Sequence, residues 1–242
     1  MPKNVPGAVF PWQVLKMDKI WKLSPSELTF LWDECPRCFY LKVVRSFNRP
    51  WSPFPGIFNR IDKLMKDYFE GRPAVEISPE LPEGKVKFGE KWVTSQPIKF
   101  PGKNSACYIK GKFDTVIAFS DGSYGVVDFK TTQPSPKHIP FYSRQLHAYA
   151  HALEYAAPGM FSLGPISKLG LLCVEPVQMD KAPDGKIAYL GEVTWLEIPR
   201  DDEWFFDFLG RVIHILDQDE PPASSENCGW CQYRQAARNT EL

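Results

Sequence analysis

The stretch GKFDTVIAFSDGSYGVVDFKTT, residues 111–132, decides the fold because it has the pattern of a β-hairpin with an acid on each strand. An Asp-Gly pair lies in the turn SDGS between two apolar runs, which is a strong signal for a tight hairpin turn. We predict strands over 107–119 and 123–131. Asp128 and Lys130 are two residues apart, so they point to the same face of the second strand.

Asp114 on the first strand and Asp128 on the second can approach closely enough to share one metal ion. Carboxylate oxygens are the ligands that Mg²⁺ and related divalent ions prefer, and a nearby lysine can orient the attacking water or help to deprotonate it. The hairpin therefore indicates a metal-dependent hydrolytic site with Lys130 beside the metal. The alternative is an ordinary ion pair between Lys130 and one acid, with the other acid solvated. The hairpin alone favours neither.

The segment FYSRQLHAYAHALEYA, residues 141–156, predicts a helix after the hairpin. Gln145 and Tyr149 are four residues apart and share one face of this helix. In that position they can hold an attacking water or a phosphate oxygen. Taken singly, Gln145 fits an exposed polar position and Tyr149 fits a core aromatic position.

Composition limits the classes of function. The 242 residues carry 29 basic and 29 acidic side chains, so binding to nucleic acid must depend on a local patch and not on net charge. We see no apolar run long enough to cross a membrane and no cleavable signal pattern, and we expect a cytosolic protein. No phosphate-binding loop of a nucleotide-driven motor is present. The candidate basic rim and base-stacking residues are Arg45, Arg49, Arg60, Lys63, Lys137 and Arg144, with Trp51, Phe54 and Tyr142.

Four of the six cysteines form two Cys-x-x-Cys pairs, CPRC at Cys35 and Cys38 and CGWC at Cys228 and Cys231. Two such pairs make a complete tetrahedral thiolate set for zinc or an iron–sulfur cluster. Redox-active pairs or buried structural thiols are the alternatives. A shared metal site explains both pairs together and would tie the two ends of the chain.

The predicted order of elements is helices, a run of strands, a helix, two strands and a helix. This order indicates one mixed α/β domain over residues 1–242, with a cysteine-bearing cap built from about 24–50 and 222–242. Residues 1–22 are expected to form an arm over the surface. Ser24 and Glu27 have the spacing of a capping box at the start of the first helix, and Pro36 is expected to break that helix in two.

The segments GKFDTVIAF, GVVDFKTT and RQLHAYAHAL together resemble the motifs of the PD-(D/E)XK nuclease superfamily, in its RecB-like branch, which includes the CRISPR-adaptation exonucleases. The resemblance is strong over residues 111–150. It implies a restriction-endonuclease-like mixed β-sheet core flanked by helices. It also implies Mg²⁺ or Mn²⁺ bound by Asp114 and Asp128, with Lys130 as the catalytic lysine and Gln145 and Tyr149 as a supporting pair.

The same resemblance implies a deoxyribonuclease, and specifically an exonuclease on single-stranded DNA or DNA ends that works with a helicase, a recombination protein or a CRISPR protein. Several relatives join their chain ends through a [4Fe-4S] cluster with one cysteine before the core and three after it. Here the cysteines are divided two and two, which leaves Zn²⁺ as the alternative.

One position departs from the pattern of the family. Relatives carry a histidine four residues after a helical glycine, and Arg60 stands at that place after Gly56. Arginine cannot ligate a metal, although it can bind a phosphate. The alternative function is therefore a catalytically weak or inactive DNA-binding or scaffold member of the same fold.

Overall fold

The computed structural model describes residues 19–182 and 184–240. The helices are α1 (Pro25–Glu34), α2 (Pro36–Arg45), α3 (Gly56–Phe69), α4 (His138–Glu154), α5 (Asp202–Leu216) and α6 (Gly229–Arg238), with a short 3-10 turn at Ala74–Glu76. The strands are β1 (Lys19–Leu23), β2 (Gly84–Phe88), β3 (Lys91–Thr94), β4 (Ile98–Lys99), β5 (Ser105–Phe113), β6 (Thr115–Phe119), β7 (Tyr124–Lys130), β8 (Ile166–Lys181) and β9 (Ile187–Glu197). Within these ranges, no helix is both long and apolar enough to span a membrane.

The strands form two mixed sheets. In the first sheet β5 pairs with β1 in parallel and with β3 and β4 in antiparallel register. The second sheet has the order β2-β6-β7-β8-β9, in which β7 and β8 are parallel and the other neighbours antiparallel. Helix α4 connects the parallel pair, as a crossover of this kind requires. The predicted mixed α/β fold with flanking helices is confirmed.

The hairpin between β6 and β7 is confirmed, but the single strand predicted over 107–119 is wrong. The segment is divided into β5 and β6, which belong to different sheets, and Asp114 alone separates them. The apolar residues continue across the break, with Phe113 and Thr115 both buried, so local pattern does not mark it. Asp114 consequently lies at the corner where the chain passes from one sheet to the other.

Strand β7 is buried on both faces, which explains its apolar sequence. Val127 and Phe129 belong to the same buried cluster as Phe69 of α3, and the Phe69 and Phe129 rings are stacked with centroids 5.8 Å apart. Val126 belongs to the cluster that includes α4 residues. Because side chains alternate along a strand, Asp128 shares the α4 side with Val126 and lies in the protein interior.

The predictions for the N-terminal helices are confirmed in part. Pro36 separates α1 from α2 at Cys35 as expected. The capping box is wrong, because the side chain of Ser24 makes no capping bond and Glu27 instead forms an ion pair with Lys42 at 2.5 Å. Lys42 on the neighbouring helix α2 attracts the Glu27 carboxylate, which therefore does not accept a hydrogen bond from the backbone N–H at the start of α1.

The expectation of an arm over residues 1–22 is wrong for its last part. Residues 19–22 lie in β1, which pairs in parallel with the start of β5. The partner strand is more than eighty positions away along the chain, so no local pattern predicts the pairing. Residues 1–18 lie outside the described residues, and the expectation for them stays a prediction.

His151 on α4 is packed between aromatic rings. Its imidazole stacks on Tyr155 at 4.8 Å and meets the edge of Phe206 at 5.3 Å. Burial lowers the pKa of His151 to about 4, against the opposing pull of Asp202 and Glu154, while Arg200 adds to the lowering. The folded protein therefore holds this ring neutral at pH values where an unfolded chain would protonate it.

We predict that the free energy of unfolding falls as the pH drops from about 6.5 to 4, because the unfolded state binds a proton at His151 over that window and the folded state does not. The contribution is at most roughly 3 kcal/mol. Chemical denaturation at several pH values should show a smaller decline for His151→Gln than for the wild type. The exposed His214→Gln variant serves as the control, and an equal decline in all three proteins would contradict the prediction.

Candidate active site and cysteine cluster

The hairpin register brings the two candidate metal ligands together. Thr115 pairs with Val127 and Val116 with Val126, so the next step of the ladder places Asp114 beside Asp128. A carboxylate oxygen of Asp114 also accepts a hydrogen bond of 3.1 Å from the backbone N–H of Phe129. The two acids predicted to share a site are therefore neighbours in the fold.

Asp128 is only 3 % exposed, and its two oxygens have different partners. Gln145 donates from Nε2 to Oδ1 at 2.9 Å, and the ammonium of Lys130 forms an ion pair with Oδ2. Burial raises the pKa of Asp128 to about 6, with Lys130 opposing the rise and the negative charge of Asp114 adding to it. Asp128 is therefore a carboxylate at neutral pH whose charge is held by its neighbours.

Lys130 is enclosed by aromatic rings as well as paired with the acid. Its ammonium lies 4.7 Å from the ring centroid of Tyr142 on α4 and 6.0 Å from that of Phe30 on α1. Burial opposes its charge, but Asp128 raises the pKa of Lys130 above its usual value. The lysine is consequently a fixed cation, positioned by two rings and one carboxylate.

Asp114 is held by a lysine that sequence reasoning did not single out. Lys66 of α3 places Nζ 2.8 Å from Oδ1 of Asp114 and 2.7 Å from both Asp62 and Glu90. Burial opposes the charge of Lys66, yet these acids raise its pKa above the usual value. Glu90 also pairs with Lys112. The family pattern predicts a histidine on this helix and gives no role to Lys66. The four-residue spacing between Asp62 and Lys66 does indicate an ion pair on one face of the helix.

Gln145 and Tyr149, the predicted supporting pair, contact different parts of the site. Gln145 holds Asp128, and its own carbonyl oxygen is buried with no hydrogen-bond partner among the described residues. Tyr149 is buried and donates its hydroxyl to the carbonyl of Lys112 at 2.8 Å, which fastens β5 two residues before Asp114. Gln145 thus lies in the site directly, and Tyr149 supports the strand that presents Asp114.

The donor set fits a divalent metal ion. Two adjacent carboxylates and the unpartnered carbonyl of Gln145 are hard oxygen ligands of the kind that Mg²⁺ and Mn²⁺ take. Arg60, at the place of the usual histidine, is exposed on α3. The cation that α3 brings to Asp114 is the ammonium of Lys66, which any ion binding that carboxylate must share or displace.

The four cysteines of the two Cys-x-x-Cys pairs meet in one cluster. Their sulfur atoms all lie within 4.8 Å of one another, and Cys35, Cys38 and Cys228 are buried. Each pair begins a helix, with Cys35 before α2 and Cys228 before α6. All six cysteines of the chain, which fall within the described ranges, are free thiols. Four clustered thiols are a set of ligands that could hold a metal ion, and they join segments near both ends of the described chain.

Two arginines donate to the sulfurs of this cluster. Arg234 reaches Sγ of Cys38 at 3.2 Å, and Arg49 reaches Sγ of Cys228 at 3.5 Å. Burial opposes ionisation of Cys35, but the backbone N–H groups of Ser225 and Cys38 lower the pKa of its thiol to about 7. The surroundings therefore favour a thiolate, the form that binds a metal, at Cys35, whereas burial raises the thiol pKa of Cys38 and of Cys231.

Comparison with known proteins gives a family for most of the chain. The model of the PD-(D/E)XK nuclease superfamily matches residues 57–236, a range that contains Asp114, Asp128 and Lys130. Among solved structures, the crystal structure of SSO0001 aligns with a TM-score of 0.44 and 18% identity, covering 83% of this chain and 78% of that one. A search of curated proteins found no significant match.

We predict that Lys66→Met lowers the free energy of unfolding by about 2 kcal/mol in EDTA, because it leaves the half-buried Asp114 and Asp62 and the exposed Glu90 without their shared cation. Added Mg²⁺ should stabilise this variant more than the wild type, since the ion no longer competes with an ammonium. The measurement is the melting temperature with and without Mg²⁺.

The control for that variant is Lys63→Met, three residues earlier on α3, whose exposed ammonium pairs only with Asp67 at 2.8 Å among the described residues. Its stability should change by no more than about 0.5 kcal/mol, and its response to Mg²⁺ should match the wild type. Equal responses of the Lys66 and Lys63 variants would contradict the assignment of Lys66 to the site.

Proposed function

The chain belongs to the PD-(D/E)XK nuclease superfamily, and we propose that it is a divalent-metal-dependent deoxyribonuclease that removes nucleotides from single-stranded DNA or from DNA ends. The observation that carries the proposal is the buried carboxylate of Asp128, held between Gln145 and Lys130 and placed beside Asp114. An acid in the middle of an apolar strand is costly to bury, and a structural ion pair alone would be cheaper at the surface.

Each side chain has a distinct task in the proposed reaction. Bound Mg²⁺ or Mn²⁺ would polarise the scissile phosphate and make the attacking water more acidic. Asp114 and Asp128 would provide the carboxylate oxygens for the ion. Lys130, fixed by its aromatic neighbours, would hold the water and balance negative charge on the phosphate. Gln145 keeps Asp128 in one orientation and offers its free carbonyl to the water.

A groove beside the site supports a single strand as the substrate. Glu27, Phe30, Lys42, Arg49 and Trp51 line a pocket between α1, α2 and the segment that follows α2. The Phe30 ring in this lining is the ring that approaches the Lys130 ammonium. Trp51 is 85 % exposed, and a free indole beside basic side chains is a platform on which unpaired bases stack.

Two further exposed aromatic rings lie in the segment that runs from Trp51 into α3. Phe54 is 65 % exposed, and its ring lies 5.5 Å from that of Phe58 in the first turn of α3. Lys66 of the same helix reaches Asp114. Exposed rings at the start of the helix that reaches Asp114 fit a strand with unpaired bases better than a duplex, whose bases are already stacked.

The second candidate function is DNA binding without cleavage. Specific support comes from the pairing of both carboxylates with lysines, Asp114 with Lys66 and Asp128 with Lys130, which is how a site that no longer needs a metal would be neutralised. Metal-dependent degradation of labelled single-stranded DNA by the purified protein excludes this candidate. Binding without turnover under Mg²⁺ and Mn²⁺ supports it.

The proposal includes a cytosolic setting, since free thiols persist in a reducing compartment. Association with a helicase, a recombination protein or a CRISPR protein stays a prediction from the resemblance.

We predict that Asp114→Asn, Asp128→Asn and Lys130→Met each reduce Mg²⁺-dependent cleavage by roughly 100-fold or more, because each removes a ligand or the fixed cation at the reacting phosphate. The assay follows release of nucleotides from end-labelled linear single strands, with circular single strands as the test of end dependence. Lys186→Met, at an exposed lysine in the turn between β8 and β9, should cleave like the wild type. Undiminished cleavage by folded Lys130→Met would overturn the proposed mechanism.

We predict that Trp51→Ala weakens binding of single-stranded DNA by about 10-fold, because it removes a stacking surface of the usual strength. Measured kcat should change little while KM rises, since Trp51 lies outside the set of side chains that hold Asp128. The matched control is Tyr189→Ala on β9, another aromatic residue that is 71 % exposed. Equal losses at both positions would show that the groove is not the binding surface.

A further inference from the structure

We propose that the four-cysteine cluster holds a single tetrahedral zinc ion, and not an iron–sulfur cluster. The inference concerns Cys35, Cys38, Cys228 and Cys231 and stands independently of the nuclease activity. It differs from the [4Fe-4S] assignment that the resemblance implies for chain ends joined by cysteines.

The distances between sulfur atoms carry the argument. Cys38 lies 3.6 Å from Cys231 and 3.7 Å from Cys228, and Cys35 lies 3.9 Å from Cys231, measured between Sγ atoms. Zinc–sulfur bonds of about 2.3 Å directed to the corners of a tetrahedron separate the sulfurs by about 3.8 Å. These three separations match thiolates around one ion, and the other three pairs also lie within 4.8 Å.

A cubane cluster needs a wider opening. Each of its four cysteines binds a different iron, and the irons and inorganic sulfides fill the space between the thiolates. Sulfur atoms that all lie within 4.8 Å of one another leave room for one ion at the centre and no room for such a core. The sulfur spacing therefore does not fit the cluster that the resemblance implies.

The local backbone is suited to a four-coordinate ion. In the second pair, the N–H of Cys231 donates to the carbonyl of Cys228 at 3.0 Å, which closes a tight turn at the start of α6. In the first pair, Cys35 lies at the N-cap of α2 and Cys38 in its first turn. Each turn presents two sulfurs, so the two-and-two division of cysteines supplies opposite edges of one tetrahedron.

Two cationic side chains lie beside the site and offset much of its negative charge. Four thiolates around Zn²⁺ leave two negative charges, and the guanidinium groups of Arg49 and Arg234 donate to the sulfurs from outside. Charge-assisted hydrogen bonds of this kind offset the cost of burying the anionic complex. Neutral thiols would leave Arg234 without an anionic partner among the described residues, whereas Arg49 would keep the carboxylate of Glu34.

The ion would also order the segment that forms the proposed DNA groove. Arg49 joins the sulfur of Cys228 to the carboxylate of Glu34 on α1, to which it donates at 2.5 Å. Trp51 follows two residues later. Removing the ion would release the thiolate end of this bridge, and the Trp51 segment would lose its fixed position relative to α1.

The test is metal analysis of native protein, expressed with both iron and zinc supplied and purified without oxygen. We expect about one zinc per chain, no acid-labile sulfide and no brown colour, and X-ray absorption at the zinc edge should show a single sulfur shell at about 2.3 Å. Iron with sulfide in comparable amounts, or a metal–metal scattering shell, would overturn the proposal.

Variants locate the ion. Cys38→Ser and Cys231→Ser should lower the zinc content severalfold, whereas Cys107→Ala, at a buried cysteine outside the cluster, should keep it. If the serine variants fail to fold, replacement of zinc by Co²⁺ in the wild-type protein gives the answer from the visible spectrum. Intense bands of tetrahedral cobalt–thiolate coordination are expected, and an octahedral cobalt spectrum would overturn the proposal.

Discussion

The burial of one carboxylate organises the candidate active site. Asp128 lies in a strand that is covered on both faces, and a charge in that position is stable only while Lys130 and Gln145 hold it. The positions of both partners depend on helices. Lys130 shares the strand with Asp128 and is enclosed by Tyr142 and Phe30, while Gln145 is delivered by the α4 crossover. The positions of α1 and α4 are therefore coupled to the charge on one side chain.

The second acid is positioned by the sheet topology, and Lys66 of α3 then pairs with it. Asp114 stands at the one-residue break where the chain leaves the first sheet for the second, and the amide of Phe129 fixes its carboxylate from the neighbouring strand. Tyr149 fastens β5 just before that break. A corner between two sheets, braced on both sides, is a rigid place to hold a ligand, and rigid ligands are what a metal site requires.

Much of this arrangement could be predicted from the sequence because it is local. The Asp-Gly turn fixes the β6–β7 register, and that register sets Asp114 against Asp128. The spacing of cysteines likewise indicated a shared cluster. Lys66 and Glu90 could not be predicted in the same way. Lys66 reaches Asp114 from a helix and Glu90 reaches Lys66 from a loop, and the docking of both depends on packing across the second sheet. The parallel pairing of β1 with β5 also joins distant segments and leaves no local signal.

The charges around the two acids bear on how metal and substrate would bind. Asp62, Glu90, Asp114 and Asp128 face the ammonium groups of Lys66, Lys112 and Lys130, which leaves one net negative charge. A divalent ion would make this half-buried group net positive, which is unfavourable without a further anion. A phosphodiester supplies that anion and restores neutrality. On the proposed chemistry, metal and DNA therefore favour each other's binding, and Lys66 keeps the carboxylates paired until both are present.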